Sequence, residues 1–359
     1  MSLTKRLKAD DTSITSLTID NNKLDPLDYL AGNSRITSLI LYGAITEKHY
    51  ALLGKNTVVT ELVIGNYINT EEFLNNMQHI ISALSNLREL KLINSKYRHE
   101  NTSCFYYLSK KFGEITTLTK FTYFKNHYEC VNPHRYSSYD TDVDRTYRYL
   151  RFNKALKSVH IRTYENMCGR KELNYDFKIW MAKNRTVDTL RLGFKDHGNM
   201  EWFAEALMNH LAQDTVIKYL TLDIANIHCD SVAHLIAQNT ILRTLDINNS
   251  SRHTDWSVSP DNQKTLTYAM RQNTSLRSLN IQFNKRGANA LTEEMQQLSV
   301  RNNWRATLYT LCLVFATLKL PPYVILEICD WLPHMDQVPH VKKIRTIQRL
   351  RRIFDALRK

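Results

Sequence analysis

The chain has 359 residues, 43% apolar and 23% charged, with a formal net charge of +13. That balance belongs to a globular protein with a sizeable core and excludes a disordered, collagen-like or polytopic membrane chain. The nine glycines, about a third of the usual roughly 7%, leave no G-x-G for a dinucleotide.

Gly193 and Gly198 have the outer spacing of a phosphate loop, but Asn199 and Met200 stand where Lys and Ser or Thr are required. No G-x-S-x-G and no H-E-x-x-H occurs. No catalytic residue and no cofactor is therefore expected. The cysteines at 104, 130, 168, 229, 312 and 329 form no C-x-x-C pair, which fits scattered thiols in a reducing compartment, cytoplasm or nucleus, better than a disulfide framework.

In chain order, residues 1–11 are polar and lack the apolar core of a signal peptide. On that basis the sequons at Asn101, Asn184, Asn249 and Asn273 read as surface polar residues. From Ile14 onward the pattern apolar-x-x-apolar-x-apolar recurs ten times: at Ile14, Ile36, Val59, Leu87, Leu118, Leu156, Val187, Ile217, Leu242 and Leu276. The intervals range from 22 to 38 residues. The last two apolar positions of each match alternate with polar ones, as a strand with one buried face requires. Helix-period segments follow at Glu71 to Leu84, Phe203 to Leu211, Ser231 to Ala237 and Ala288 to Leu298. A strand-helix unit of this size cannot bury its apolar faces alone, so the units are expected to stack into a solenoid.

The strings Asn56-Thr-Val-Val-Thr-Glu-Leu-Val-Ile64, Asn239-Thr-Ile-Leu-Arg-Thr-Leu-Asp-Ile247 and Asn273-Thr-Ser-Leu-Arg-Ser-Leu-Asn-Ile281 carry a resemblance. They are similar to leucine-rich repeats of the ribonuclease-inhibitor type. The resemblance implies an α/β horseshoe over residues 1–300, strands on the concave face and helices on the convex one, acting in protein recognition. The consensus Asn just after the strand is mostly missing.

Alternation sends the third and fifth positions of each match out of the strand face. In repeats four to seven these include Lys91, Lys120, His160 and Arg191, joined by Phe124 and Arg162 at the strand ends. A basic centre with an aromatic suits an acidic protein or a nucleic acid. The longest repeat carries an extra segment between Phe124 and Asn153, rich in Tyr and Arg, with Tyr136 and Arg148 as contact candidates. Its His127, Cys130 and His134 have a metal-like spacing without a clear fourth ligand, and no metal site is expected there.

Residues 301–359 read as a separate all-α module. Ala306 to Leu318 is uncharged but shorter than the roughly 20 residues of a membrane span. Pro321 opens a helix that places Val324, Ile325, Ile328 and Leu332 on one face. With Leu320 and Pro333, this string resembles an F-box core, which implies docking on a Skp-type linker of cullin ubiquitin ligases. The stretch from Leu320 to Ile344 is similar to tails of repeat proteins from giant viruses of amoebae, which implies a virus-host setting, host cytoplasm or virus factory. The bland alternative is a cap over the last repeat. Between Val341 and Lys359, a basic amphipathic helix carries Lys342, Lys343, Arg345, Arg349, Arg351 and Arg352. The leading reading is a non-enzymatic adaptor, and the rival is nucleic-acid binding without sequence specificity through the two basic surfaces.

Overall fold

Ten short strands start where the repeat places them, two residues after each first apolar position: β1 (Ser16–Asp20), β2 (Ser38–Tyr42), β3 (Glu61–Gly65), β4 (Glu89–Asn94), β5 (Lys120–Lys125), β6 (Ser158–Thr163), β7 (Thr189–Phe194), β8 (Tyr219–Ile224), β9 (Thr244–Asn249) and β10 (Ser278–Phe283). The structure, a computed structural model, describes residues 13–20, 33–42, 53, 56, 58–65, 79, 84–94, 115–125, 147, 150–163, 175–194, 201–224, 227–249, 260–283 and 293–303.

All ten strands form one parallel sheet in sequence order. The register never slips: Leu17 lies beside Leu39, Leu39 beside Leu62, Leu62 beside Leu90, and so on to Leu279. One apolar row, aliphatic except for Phe121 on β5, therefore runs the length of the sheet, buried throughout. Each such side chain contributes about 1.5 to 3 kcal/mol when taken out of water. The varying repeat length is absorbed between strands and leaves their pairing untouched.

Helices follow the later strands: α1 (Tyr175–Lys183), α2 (Glu201–Ala212), α3 (Cys229–Gln238) and α4 (Pro260–Gln272), then α5 at residues 293–303. The expected segments at Phe203 and Ser231 fall inside α2 and α3, whereas α1 and α4 were not anticipated. α1 buries Phe177, Trp180 and Met181, a helical spacing too brief to stand out. The polar residues at the start of α4 hide its buried stripe of Leu266, Ala269 and Met270. α5 runs past residue 300, where the repeat was expected to stop. The segment from 71 to 84 and residues 304–359 lie outside or almost outside the described set.

Adjacent helices pack side by side, α2 on α3 and α3 on α4. Packed helices sit roughly 8–10 Å apart, but neighbouring strands only about 4.8 Å. A layer of helices bonded to a layer of strands must then curve, with the sheet on the inside.

Among the described residues, buried asparagines tie several repeats to their neighbours as a ladder. Asn273 is typical. Its backbone N–H donates to the Ala269 carbonyl (3.0 Å), and its Oδ1 accepts from the N–H groups of Ser275 (2.9 Å) and Leu276 (2.7 Å). Its Nδ2 donates back one repeat to the carbonyls of Ile236 (2.6 Å) and Asn239 (2.9 Å). Asn239 does the same to Leu211 and Asp214, Asn153 reaches Ile115, and Asn56 reaches Asn33. Asn302 donates to Asn273 and Leu276, so the ladder extends into α5. Asp214 takes the same place with acceptor bonds from Val216 and Ile217. The sequons therefore mislead: Asn184, whose Nδ2 donates to the Val187 carbonyl of its own repeat at 2.8 Å, and Asn273 in the ladder are each 5% exposed and buried, not on the surface. The helix ends need these side chains because terminal carbonyls lack partners within the helix.

Candidate partner-binding face of the sheet

The sheet face opposite the apolar rows carries three lines of side chains, at the third, fifth and seventh positions of each match. Residues in one line are direct register neighbours. Lys91, Thr122, His160 and Arg191 form one run, on β4 to β7. Phe124 and Arg162 were placed at strand ends by the sequence. The structure pairs them as neighbours in the seventh line, so they share the outer face with the others.

Phe124 is the hub of this cluster. The Lys91 ammonium sits 5.3 Å from its ring centroid, and the His160 ring meets it edge-on at 4.5 Å. These contacts cover Thr122, which is 4% exposed although its side chain points outward. Lys120 pairs with Glu89 at 2.7 Å. Arg162 reaches Asp223, two strands away on β8, at 3.4 Å. That reach depends on Gly193: a Cβ there would lie 3.0 Å from Arg162 Cγ, so glycine leaves room for the arginine stem to cross β7. Glu89, Gly193 and Asp223 thus belong to the site although the sequence did not single them out. Asp223 and Gly193 occupy the seventh line, the position that would have revealed them.

Charge at the centre is only partly compensated among the described residues. Among the described residues neither Lys91 nor Arg191 forms an ion pair, and Arg191 is exposed. The pKa of His160 is lowered to about 4, first by burial and then by Arg191, Arg162, Lys91 and Lys120. At neutral pH the imidazole is uncharged and acts as an aromatic wall among these side chains. The arrangement suits a ligand that brings carboxylates or phosphates and some apolar surface.

Other expected sites fall elsewhere. Tyr136 and Arg148 lie outside the described residues, as do His127, Cys130 and His134. So do the F-box-like positions Leu320, Pro321, Val324, Ile325, Ile328 and Leu332, and the basic-helix positions Lys342, Lys343, Arg345, Arg349, Arg351 and Arg352. Cys229 is buried on α3, its Sγ 3.4 Å from the Asn262 carbonyl, and burial pushes its thiol up to about 12. That thiol is unreactive at neutral pH. Among the described residues, no cluster of His, Cys, Asp or Glu could hold a metal ion, and no helix is long and apolar enough to cross a membrane.

No known protein family and no curated protein matches the chain. Among solved structures it is similar to one of a TLR13–ssRNA13 complex, at 15% sequence identity and a TM-score of 0.37. The match covers 79% of this chain and 42% of that chain, so this protein spans less than half the length of that neighbour. The fold is a leucine-rich-repeat solenoid. The ten-strand parallel register and its ladder carry that assignment, and the solenoid presents the Lys91 to Arg191 cluster on its inner surface.

Proposed function

We propose that this protein is a non-enzymatic recognition scaffold whose inner sheet face holds an acidic protein partner at Lys91, Lys120, Phe124, His160, Arg162 and Arg191. The observation that carries the reading is a pair of cations, Lys91 and Arg191, that have no counter-ion among the described residues and stand three strands apart around an aromatic hub. Three strand spacings put them roughly 14 Å from each other, so a single small anion does not satisfy both. Fluorescence anisotropy with a labelled octaglutamate peptide tests this. Binding is expected at low salt and should weaken as salt rises, because the contact is an exposed electrostatic one. Absence of binding at low salt overturns the proposal.

The second half of the reading is coupling through the F-box-like string from Leu320 to Pro333 to a Skp-type linker, in a virus-host setting if the likeness of the tail holds. Its support is the sequence resemblance. Pull-down of a purified Skp-type linker by the full chain, lost in Leu320→Ala/Ile325→Ala with the melting temperature of the repeats retained, is the expected result. No capture by the wild-type chain removes the adaptor role and leaves the recognition scaffold.

A further inference from the structure

Along the inner face, the chemistry changes in sequence order. On β2 and β3, the outward fifth and seventh positions are Ile40, Tyr42, Val63 and Gly65, and β4 adds Ile93 in the seventh line beside Lys91 in the fifth. Val63 is 7% exposed, and the Tyr42 ring lies so close over Gly65 that a Cβ there would sit 2.5 Å from it. Tyr42 therefore makes a flat aromatic shelf beside the aliphatic side chains. The basic cluster follows on β4 to β7. On β8 to β10, the same two lines hold Thr221, Asp223, Asp246, Asn248, Asn280 and Gln282, with Asp246 accepting a hydrogen bond from Asn280 at 2.8 Å.

We infer that the occupant of this face is a protein segment with an apolar anchor followed, about four residues away, by a cluster of carboxylates. This rests on the recognition reading above and adds the partner's pattern to it. The distance follows from geometry. From β3 to the middle of the basic cluster is about two and a half strand spacings, or roughly 12 Å, and an extended chain advances about 3.3 Å per residue. A nucleic acid fits poorly. Its evenly charged backbone, laid across the strands, would meet an apolar shelf at one end and the carboxylates of Asp223 and Asp246 at the other. A protein segment can change chemistry along its length as this face does, and opposite-charge complementarity sets its register.

The test compares four labelled probes on the full chain at one low salt concentration: the peptide Phe-Leu-Gly-Ser-Glu-Glu-Glu-Glu, its reversed order, octaglutamate, and a twelve-residue deoxythymidine strand. One of the two patterned peptides is expected to bind at least about tenfold more tightly than octaglutamate. Ile40→Ser or Ile93→Ser, each checked by melting temperature, should remove that gain while leaving octaglutamate binding within about twofold. Patterned peptides no tighter than octaglutamate overturn this inference but leave the basic cluster as an acidic-partner site. Failure of every peptide overturns both. Tighter binding of the oligonucleotide than of any peptide overturns the protein-segment assignment.

Discussion

Replacing Asn273 with alanine is expected to destabilise the protein by about 3 to 4 kcal/mol, among the largest effects of any single polar substitution in the repeats. The Asn273 side chain accepts from Ser275 and Leu276 and donates to Ile236 and Asn239, and it is nearly fully buried. Alanine removes all four bonds and leaves N–H and carbonyl groups without partners where water cannot replace them, at roughly 1 kcal/mol each. Asn273→Asp keeps the two acceptor bonds but sets a buried carboxylate oxygen against the Ile236 and Asn239 carbonyls, so it should cost at least as much, unlike the half-exposed Asp214. Urea unfolding of the three proteins checks the order. A loss below about 1 kcal/mol for alanine would mean that the ladder is incidental to stability.

Reversing two charges at the centre of the inner face, Lys91→Glu with Arg191→Glu, is expected to weaken octaglutamate binding by at least about tenfold, or 1.4 kcal/mol. Both residues face outward and neither is committed to an ion pair among the described residues. Removing them should therefore not leave a buried charge behind. The control reverses Lys183 and Lys264, which lie on α1 and α4 on the helix side, and produces the same net charge. It should change affinity by less than about twofold, because surface charges beyond a Debye length are screened. Equal losses in both variants would show that the peptide responds to total charge and not to this cluster.

The strands, their parallel order and the two buried rows were legible because each depends on one short pattern, repeated, and repetition is visible in sequence. The outward third and fifth positions followed from alternation. What could not be read is what depends on neighbours in space. Arg162 pairs with Asp223 across a glycine only because β6, β7 and β8 share a register, a relation between residues more than sixty positions apart. The asparagine ladder left a trace: Asn33, Asn56, Asn153, Asn184, Asn239 and Asn273 each precede a first apolar position by three. It was obscured because Leu84, Ile115 and Asp214 take that place in other repeats, and because Asn-x-Thr and Asn-x-Ser also spell a sequon.

The most direct measurement is a proton NMR titration of the His160 imidazole, without and with saturating octaglutamate. In the free protein its pKa is held at about 4, whereas the unfolded chain takes up the same proton near 6.5. Between those values the unfolded state binds more protons, so this group makes stability fall as pH falls from 6.5 to 4 and has no effect above that window. Carboxylates bound beside Lys91 and Arg191 would offset the repulsion that helps depress His160 and raise its pKa, while the burial that is the larger cause keeps it below 6.5. That upward shift is the predicted result. A His160 pKa that stays near 4 while the peptide is demonstrably bound would place the acidic ligand elsewhere and contradict the assignment of this face.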